Sequence, residues 1–309
     1  MIEGFGPLFY RTTMKVIKPI TFTSSMLTST NATENTANYA AGTTYAKDDQ
    51  VNYANSIYVS LQAGNTGKTP DTNPTWWIRK SANNLYAMFD EFSNTQTTQN
   101  TNLTVVVTPG AIFNSIAFFN LLNGTNIQVT VRDGSAGLII YDKTYTLDDT
   151  PILDWYMYYF EPYDTKTSLV IQDIPPYSTG VITVTMTGGG QVGIGNMVFG
   201  NVYNLGMTQY GASGGIRDYS TKETNSFGLT SLVRRAFSNR MESTLYIPTA
   251  DLRVVRKILE DLRATPVGWV GTDIDSYDIL NVYGYYRDFN MEISYPSYTL
   301  CRLEIEGLI

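Results

Sequence analysis

Short apolar runs, each closed by Gly, Asn, Asp or Pro, fill residues 103–200. In residues 127–132 and 181–187 apolar and polar side chains alternate, which predicts strands with one face on a core and the other in water. The eight predicted strands are residues 103–108, 115–121, 127–132, 138–147, 155–160, 169–173, 181–187 and 192–199. Because no helical run separates them, we expect a mainly β protein with an antiparallel sandwich of jelly-roll type.

The end of the chain has a different period. Apolar residues recur at helical spacing between Leu252 and Leu262, with Thr249 as the expected N-cap, Asp251 in the first turn and Pro266 beyond the end. Strands are expected at residues 240–247, 267–271, 279–294 and 299–306, and in the last of these Cys301 belongs to the alternating apolar set. This order predicts a small α+β domain.

Three further segments interrupt these patterns. Residues 16–22 are apolar but contain Pro19, which predicts an edge strand or an extended arm. Residues 188–195 are rich in glycine and predict a hairpin turn, and residues 205–228 predict a long ordered loop. The predicted organisation is an N-terminal arm and strand (1–37), a small carbohydrate-binding-like module (38–82), the β-sandwich (83–204), a connecting loop (205–230) and an α+β assembly domain (231–309).

Composition narrows the function. The chain has 309 residues, 43% of them hydrophobic and only 16% charged, so Thr, Asn, Ser, Gln and Tyr must cover much of the surface. The net charge of −7 argues against a nucleic-acid partner, and only Arg234 and Arg235, with Arg240 just beyond, depart from that pattern. Residues 1–13 lack the apolar run of a signal peptide, and no run is long enough for a membrane span, so we expect no membrane insertion.

The residues that usually carry catalysis are scarce. Histidine is absent, which excludes a Ser-His-Asp or Cys-His system and any histidine metal site. Cys301 is the only cysteine and is expected to be a buried structural thiol. Asp273, Asp275 and Asp278 lack the Gly and Glu of an EF-hand, so a solvated turn is favoured over a metal site. We therefore predict no catalytic residues, no metal, no cofactor and no enzymatic activity.

Aromatic residues are dense in residues 38–80, and Ala54–Asn55 between two short strands predicts a hairpin tip. A stretch this short needs several aromatic residues for its own stability, so burial in a core competes with a binding role. The residues that could stack on sugar rings are Tyr45, Tyr53, Tyr58, Trp76 and Trp77. Since Trp76 and Trp77 are adjacent, one should fill the core and the other stay partly exposed.

This stretch resembles the chitin-type carbohydrate-binding modules of families 5 and 12. The matching residues are Tyr39, Tyr45, Asp49, Val51, Tyr53, Tyr58, Pro70 and Trp77. The resemblance implies a small β module that contacts polysaccharide. The chain departs from the pattern at Asp48, where the family prefers Gly, and at residues 61–63, where Leu-Gln-Ala replaces the exposed Trp pair that usually stacks on sugar.

A second resemblance is carried by five segments: MKVIKPIT at 14–21, LGMTQYG at 205–211, DYSTKET at 218–224, YGYYRDF at 283–289 and LEIEGL at 303–308. Through them, and over nearly its full length from Met14, the chain is similar to a set of tailed-bacteriophage structural proteins, described as minor tail or carbohydrate-binding tail proteins. The resemblance implies a virion protein of the tail, in the baseplate or tail-tip region, made in the host cytoplasm. Its expected partners are other tail proteins, further copies of itself as a homo-oligomer, and host cell-surface polysaccharide.

Three alternatives stay open. The chain could be a secreted carbohydrate-binding protein or an accessory module of a glycan hydrolase, although the missing signal peptide and catalytic acids argue against this. It could belong to the virion neck or a head fibre instead of the tail. Finally, the module could bind no sugar and act as a structural spacer between virion proteins.

Overall fold

A computed structural model of the chain describes residues 12–150, 153–160, 164–224, 226–272, 275–293 and 295–308, with the backbone alone at 275, 276 and 278. The protein is mainly β, as predicted. Its strands are β1 (Thr13–Pro19), β2 (Leu27–Thr30), β3 (Gln50–Tyr53), β4 (Ser56–Ser60), β5 (Trp77–Ala82), β6 (Thr97–Val107), β7 (Ser115–Leu122), β8 (Asn126–Asp133), β9 (Ile139–Thr146), β10 (Ser168–Ile171), β11 (Gly180–Thr208), β12 (Ser213–Asp218), β13 (Thr221–Thr224), β14 (Thr230–Val233), β15 (Phe237–Pro248), β16 (Val267–Val270), β17 (Asn281–Glu292) and β18 (Tyr298–Gly307). The helices are α1 (Trp155–Phe160) and α2 (Leu252–Asp261), with 3₁₀ turns at Ser24–Met26, Ala87–Phe89 and Asp275–Leu280.

The chain divides into two compact units. One, here called the central unit, is Ile20–Val198. The other, the C-terminal unit, combines the described part of Met1–Pro19 with Phe199–Ile309.

The central unit is built around the first part of β11. From residue 180 to 187, β11 pairs with β8 on one side and β6 on the other, and β8 and β6 pair onward with β9 and β2. β11 also pairs with β7, and β7 with β10. The alternating residues predicted to face a core are buried: Ile127, Val129, Val131, Ile182, Val184 and Met186. Leu103, Val105 and Val107 of β6 are buried as well.

The predicted hairpin at residues 188–195 is wrong. β11 runs straight through this segment, and its pairing with β6 shifts register between Thr187 and Gln191. Gly188–Gly190 therefore form a bulge opposite Thr101, which has a φ of +59°. A Cβ on Gly188 would lie 2.1 Å from the carbonyl oxygen of Asn123, so the glycine permits a close backbone approach and not a reversal of the chain.

Residues 155–160 were predicted to form a strand and form the helix α1 instead. The carboxylate of Asp154 accepts a hydrogen bond from the Met157 amide at 2.8 Å, as at a helix N-terminus. Aromatic rings three and four residues apart contact one another, with 4.9 Å between the centroids of Tyr156 and Phe160. These ring contacts between residues three and four apart along the helix take the place of the contacts with a neighbouring strand that a strand would require.

In the C-terminal unit the strands close on themselves. The second part of β11 pairs with β1, and the order continues through β16, β17, β18 and β15, which pairs back to β11 through Met207–Tyr246 and Thr208–Leu245. Such a closed barrel leaves few unpaired edges. The prediction of an edge strand near the N-terminus is wrong, because β1 lies between β11 and β16 and Pro19 only ends it.

Helix α2 packs its apolar stripe on this barrel, as the helical spacing predicted. Val255, Leu259 and Leu262 are buried in one cluster with Trp269. The predicted N-cap was wrong by two residues. Asp251 is the N-cap residue, and the Thr249 hydroxyl donates to the Pro296 carbonyl instead. Cys301 is buried as predicted, and burial raises the pKa of its thiol to about 11.

The predicted loop at residues 205–228 contains ordered strands. β12 pairs with β15, and β13 pairs with β14 in a two-stranded sheet. Within the described residues, no helix is long and apolar enough to cross a membrane.

Candidate functional site

The candidate site lies on the small sheet β3-β4-β5 of the central unit. β3 and β4 form a hairpin whose two central residues, Ala54 and Asn55, have φ values of +48° and +64°. Two consecutive residues with positive φ are typical of a type I′ turn, the turn that matches the twist of a two-residue hairpin. The hairpin tip predicted from the sequence is confirmed.

The sheet has its own small core of Tyr45, Val51 and Trp77. Trp77 is only 2% exposed, and its indole Nε1 donates to the Lys68 carbonyl at 2.7 Å. The rings of Tyr45 and Trp77 meet edge to face with 5.2 Å between centroids. The hydroxyl of Tyr45 accepts a hydrogen bond from the Ala40 amide at 2.8 Å. These contacts account for Tyr45 and Trp77 as structural residues.

Further rings continue outward from this core. Tyr39 lies against both Tyr45 and Tyr53 with centroid separations of 5.8 Å, and Tyr53 lies 6.4 Å from Tyr58. Tyr39, Tyr53 and Tyr58 are half-buried. The Tyr39 hydroxyl is buried and has no hydrogen-bond partner within the described protein atoms.

The outer side of the sheet carries exposed apolar groups. Trp76 is half-buried, with the Lys68 ammonium 5.8 Å from its ring centroid. The Leu61 amide donates to the Trp76 carbonyl, and Leu61 is 40% exposed. Ile78, two residues after Trp76, is 54% exposed and pairs with Val59 across the sheet. An aromatic face with a nearby cation and flanking aliphatic groups suits the C–H face and hydroxyls of a sugar ring.

The turn before β3 is closed without a glycine. Asp48 has a φ of +71°, a conformation that Asp adopts more readily than most residues. Its amide donates to the Ser60 carbonyl at 2.8 Å, and the Asp49 carboxylate accepts from the Ala46 amide at 2.7 Å. Both acids therefore serve the turn.

The five predicted site residues thus separate into two groups. Tyr45 and Trp77 are in the core, whereas Tyr53, Tyr58 and Trp76 keep part of their surface in solvent. The prediction that only one of the two tryptophans is buried is confirmed. Lys68 and Ile78 were missed, because neither belongs to an aromatic pattern. Lys68 reaches Trp76 only in the folded sheet, and the exposure of Ile78 is visible only there.

Another cluster of ionisable groups lies on β9 and beyond β10. The Tyr141 hydroxyl donates to the Asp173 carboxylate at 2.8 Å, and the Lys143 ammonium pairs with the same carboxylate. Partial burial opposes the charge on Asp173, but the hydrogen bonds from Lys143 and Tyr141 outweigh it and lower the pKa. Lys143 and Asp173 are both about half exposed, so this is a surface ion pair of small energetic weight.

Among the described residues, no group of three or more Cys, Asp or Glu side chains is placed to hold a metal. The turn with Asp273, Asp275 and Asp278 lies outside the described side chains. Comparison of the chain with protein-family models, with curated proteins and with solved structures gives no match.

Proposed function

We propose that this chain is a non-enzymatic structural protein of a tailed-bacteriophage virion, present in several copies in the baseplate or tail-tip region. Its central unit would be a jelly-roll-like sandwich and its C-terminal unit an assembly domain. Its small module, residues 38–82, contacts host surface glycan through the exposed side that carries Trp76. The nearest alternative keeps the module as a spacer without a ligand.

One observation supports the glycan contact above the others. Trp76 packs against the core of Tyr45, Val51 and Trp77, yet part of its ring stays in solvent. The part of Trp76 that stays in solvent lies beside Lys68, and Leu61 and Ile78 are exposed, so this side of the sheet leaves apolar surface in contact with water. Stacking on a sugar ring gives that arrangement a use.

The virion role rests on the sequence resemblance and on the surface. Large apolar side chains stay exposed in both units, including Trp155 in the central unit and Phe237 in the C-terminal unit. Exposed apolar groups at this density are typical of proteins that assemble with others.

The virion role is tested by immunogold labelling of intact particles with an antibody against this chain. Gold at the tail end is the expected result. Gold at the neck or capsid would move the protein to the alternative virion position. Free protein in the medium, with unlabelled particles, would favour the secreted carbohydrate-binding protein.

The glycan role is tested by removing the module from the phage protein. Glu34 holds the two ends of the insertion close together, because its carboxylate accepts hydrogen bonds from the Thr36 amide at 2.6 Å and the Asn84 amide at 2.7 Å. A short Gly-Ser linker can therefore replace residues 38–82. Assembled particles that adsorb poorly are expected. Normal adsorption by assembled particles would reject the glycan role and favour the alternative in which the module is a structural spacer.

A further inference from the structure

A second group of exposed aromatic residues does not belong to the small module. Residues 153–160, here called the aromatic knob, contain α1. The Asp149 amide donates to the Asp164 carbonyl at 3.0 Å, and the Lys166 amide to the Leu147 carbonyl at 2.8 Å. These backbone hydrogen bonds join residues 147–149 to residues 164–166, on either side of the knob in the sequence.

The knob is apolar around its circumference. Trp155, Tyr158 and Tyr159 contact one another on one side of the helix, and Tyr156 and Phe160 on another. All five rings are between 60 and 78% exposed. A helix with apolar side chains on all sides is normally buried. The knob therefore has the surface of a segment that is buried against a binding partner.

The size of this surface is that of an interface. Five aromatic side chains at this exposure offer on the order of 600 Å² of surface. A stable protein–protein contact needs about 800 Å² from each partner, so the knob alone supplies most of one side.

The charges around the knob favour a basic partner. Residues 148–166 contain five acidic residues and one lysine. Four of these acids, Asp148, Asp149, Asp154 and Asp164, are exposed, and none of them has an ion-pair partner among the residues that the structure describes. Exposed apolar side chains in an acidic stretch of the chain are complementary to exposed apolar side chains in a basic stretch.

The same chain carries such a surface. The β13–β14 sheet, with the two residues that follow it, is here called the basic hairpin and carries Lys222, Arg234 and Arg235 against one acid, Glu223. Leu232 and Val233 between these cations are 69 and 52% exposed. Neither arginine side chain forms an ion pair within the described residues, although Arg234 lies close enough to help Ser220 and Lys222 lower the pKa of Asp218.

The basic hairpin also lacks support of its own. It is a two-stranded sheet, and nearly all of its residues are exposed on both faces. An isolated two-stranded hairpin is marginally stable in water and needs a third layer to cover it. A partner that covers Leu232 and Val233 would supply that layer.

We propose that the aromatic knob of one copy binds the basic hairpin of a second copy. The contact joins two different surfaces, so it is heterologous, and repeating it from copy to copy builds a ring or a chain of subunits. The inference rests on the proposed multi-copy virion role, because that role supplies the high local concentration of copies. The pairing itself is a property of the purified protein.

The experiment is sedimentation velocity of the purified full chain over a range of protein and salt concentrations. The knob variant carries Trp155→Ala and Tyr159→Ala, and the hairpin variant carries Arg234→Glu and Arg235→Glu. The control variant, Arg253→Glu with Lys257→Glu, makes the same charge change at exposed positions of α2. We expect concentration-dependent association of the wild type, weakened by salt and unaffected in the control, and about tenfold or more weaker in each test variant.

Mixing the two test variants gives the sharpest result. Each keeps the surface that the other lacks, so the mixture should form a one-to-one dimer and grow no further. A mixture that stays monomeric would overturn the proposal. A wild type that is monomeric at every concentration would also overturn it, because copies of the chain would then not bind one another. Wild-type binding to phosphatidylcholine vesicles that is lost in the knob variant would overturn it in favour of a membrane surface.

The outcome is independent of the virion test. Gold on the tail together with a monomeric wild type would reject only the pairing of knob and hairpin. Unlabelled particles together with the predicted dimer would reject only the virion role.

Discussion

The small module and the aromatic knob have similar side chains and opposite environments. In the module Trp77 is 2% exposed, while in the knob Trp155 is 78% exposed. The difference comes from neighbours and not from residue type. β4 gives β5 a partner strand, and the core of the module covers Trp77, whereas the ring contacts of α1 found among the described residues are all within α1.

This comparison separates two uses of aromatic residues. In the module most rings hold the sheet together, and only what remains exposed is left for a ligand. In the knob the rings contact one another and, among the described residues, no ring outside α1, so most of their apolar surface stays in water. Aromatic density along the sequence is therefore a poor guide to a binding site, and the exposure that remains after local packing is a better one.

The largest effect is expected from Trp77→Ala. The change removes a buried ring and the hydrogen bond to the Lys68 carbonyl, and truncation of a buried Trp costs about 3–5 kcal/mol. A core of this size cannot absorb that loss, so residues 38–82 should unfold while the rest of the chain stays folded. Limited proteolysis with mass spectrometry measures this, with Tyr210→Ala, an exposed ring in the C-terminal unit, as the control. A protected module in the Trp77→Ala variant would contradict the proposed core.

A smaller effect, and of a different kind, is expected from Trp76→Ala. Part of the ring packs on the core and part stays in solvent, so the free energy of unfolding should fall by less than in Trp77→Ala, while binding to glycan per folded molecule should weaken by about tenfold, or 1.4 kcal/mol. Retention on insoluble chitin and on host cell-wall polysaccharide measures the binding. Equal retention of the Trp76→Ala protein and the wild type would leave the module as a spacer.

Tyr45→Phe should lower the free energy of unfolding of the module by about 1 kcal/mol. The change keeps the ring against Trp77 and removes the hydroxyl that accepts from the Ala40 amide. Glycan binding per folded molecule should not change, because Tyr45 is buried. Denaturant unfolding and chitin retention on the same preparation test both statements. Weaker retention with an unchanged free energy of unfolding would mean that Tyr45 takes part in glycan binding.

Much of the fold followed from local pattern. The strands around Val129 and Val184, the stripe of α2 and the buried thiol of Cys301 were all predicted, because periods of 2 and 3.6 fix which side chains share a face. The hairpin at Ala54–Asn55 was found from its position between two short strands.

The errors have a common cause, which is that pairing between distant segments leaves no local pattern. Glycines at 188–190 fit a turn as well as a bulge, and only the strand opposite decides. Pro19 indicated an edge, yet the chain returns 250 residues later to cover β1 with β16. In the candidate site, Lys68 reaches Trp76 only through the fold.

The six residues of α1 were predicted to be a strand because aromatic residues favour strands. Their spacing contained the contrary signal, since Trp155, Tyr158 and Tyr159 recur at helical intervals. Because α1 is exposed on all sides, its sequence does not alternate between an apolar and a polar face, and the helical spacing of the rings is easily overlooked.

The smallest effect is expected from Trp155→Ala, and it tests the comparison most directly. A ring that is 78% exposed contributes little to the native state, so the free energy of unfolding should change by no more than about 0.5 kcal/mol, although the truncated side chain is as large as that of Trp77. Denaturant unfolding at low protein concentration, where copies do not associate, measures it. A loss above about 1 kcal/mol would mean that the knob packs on its own chain, and the contrast between the two regions would then disappear.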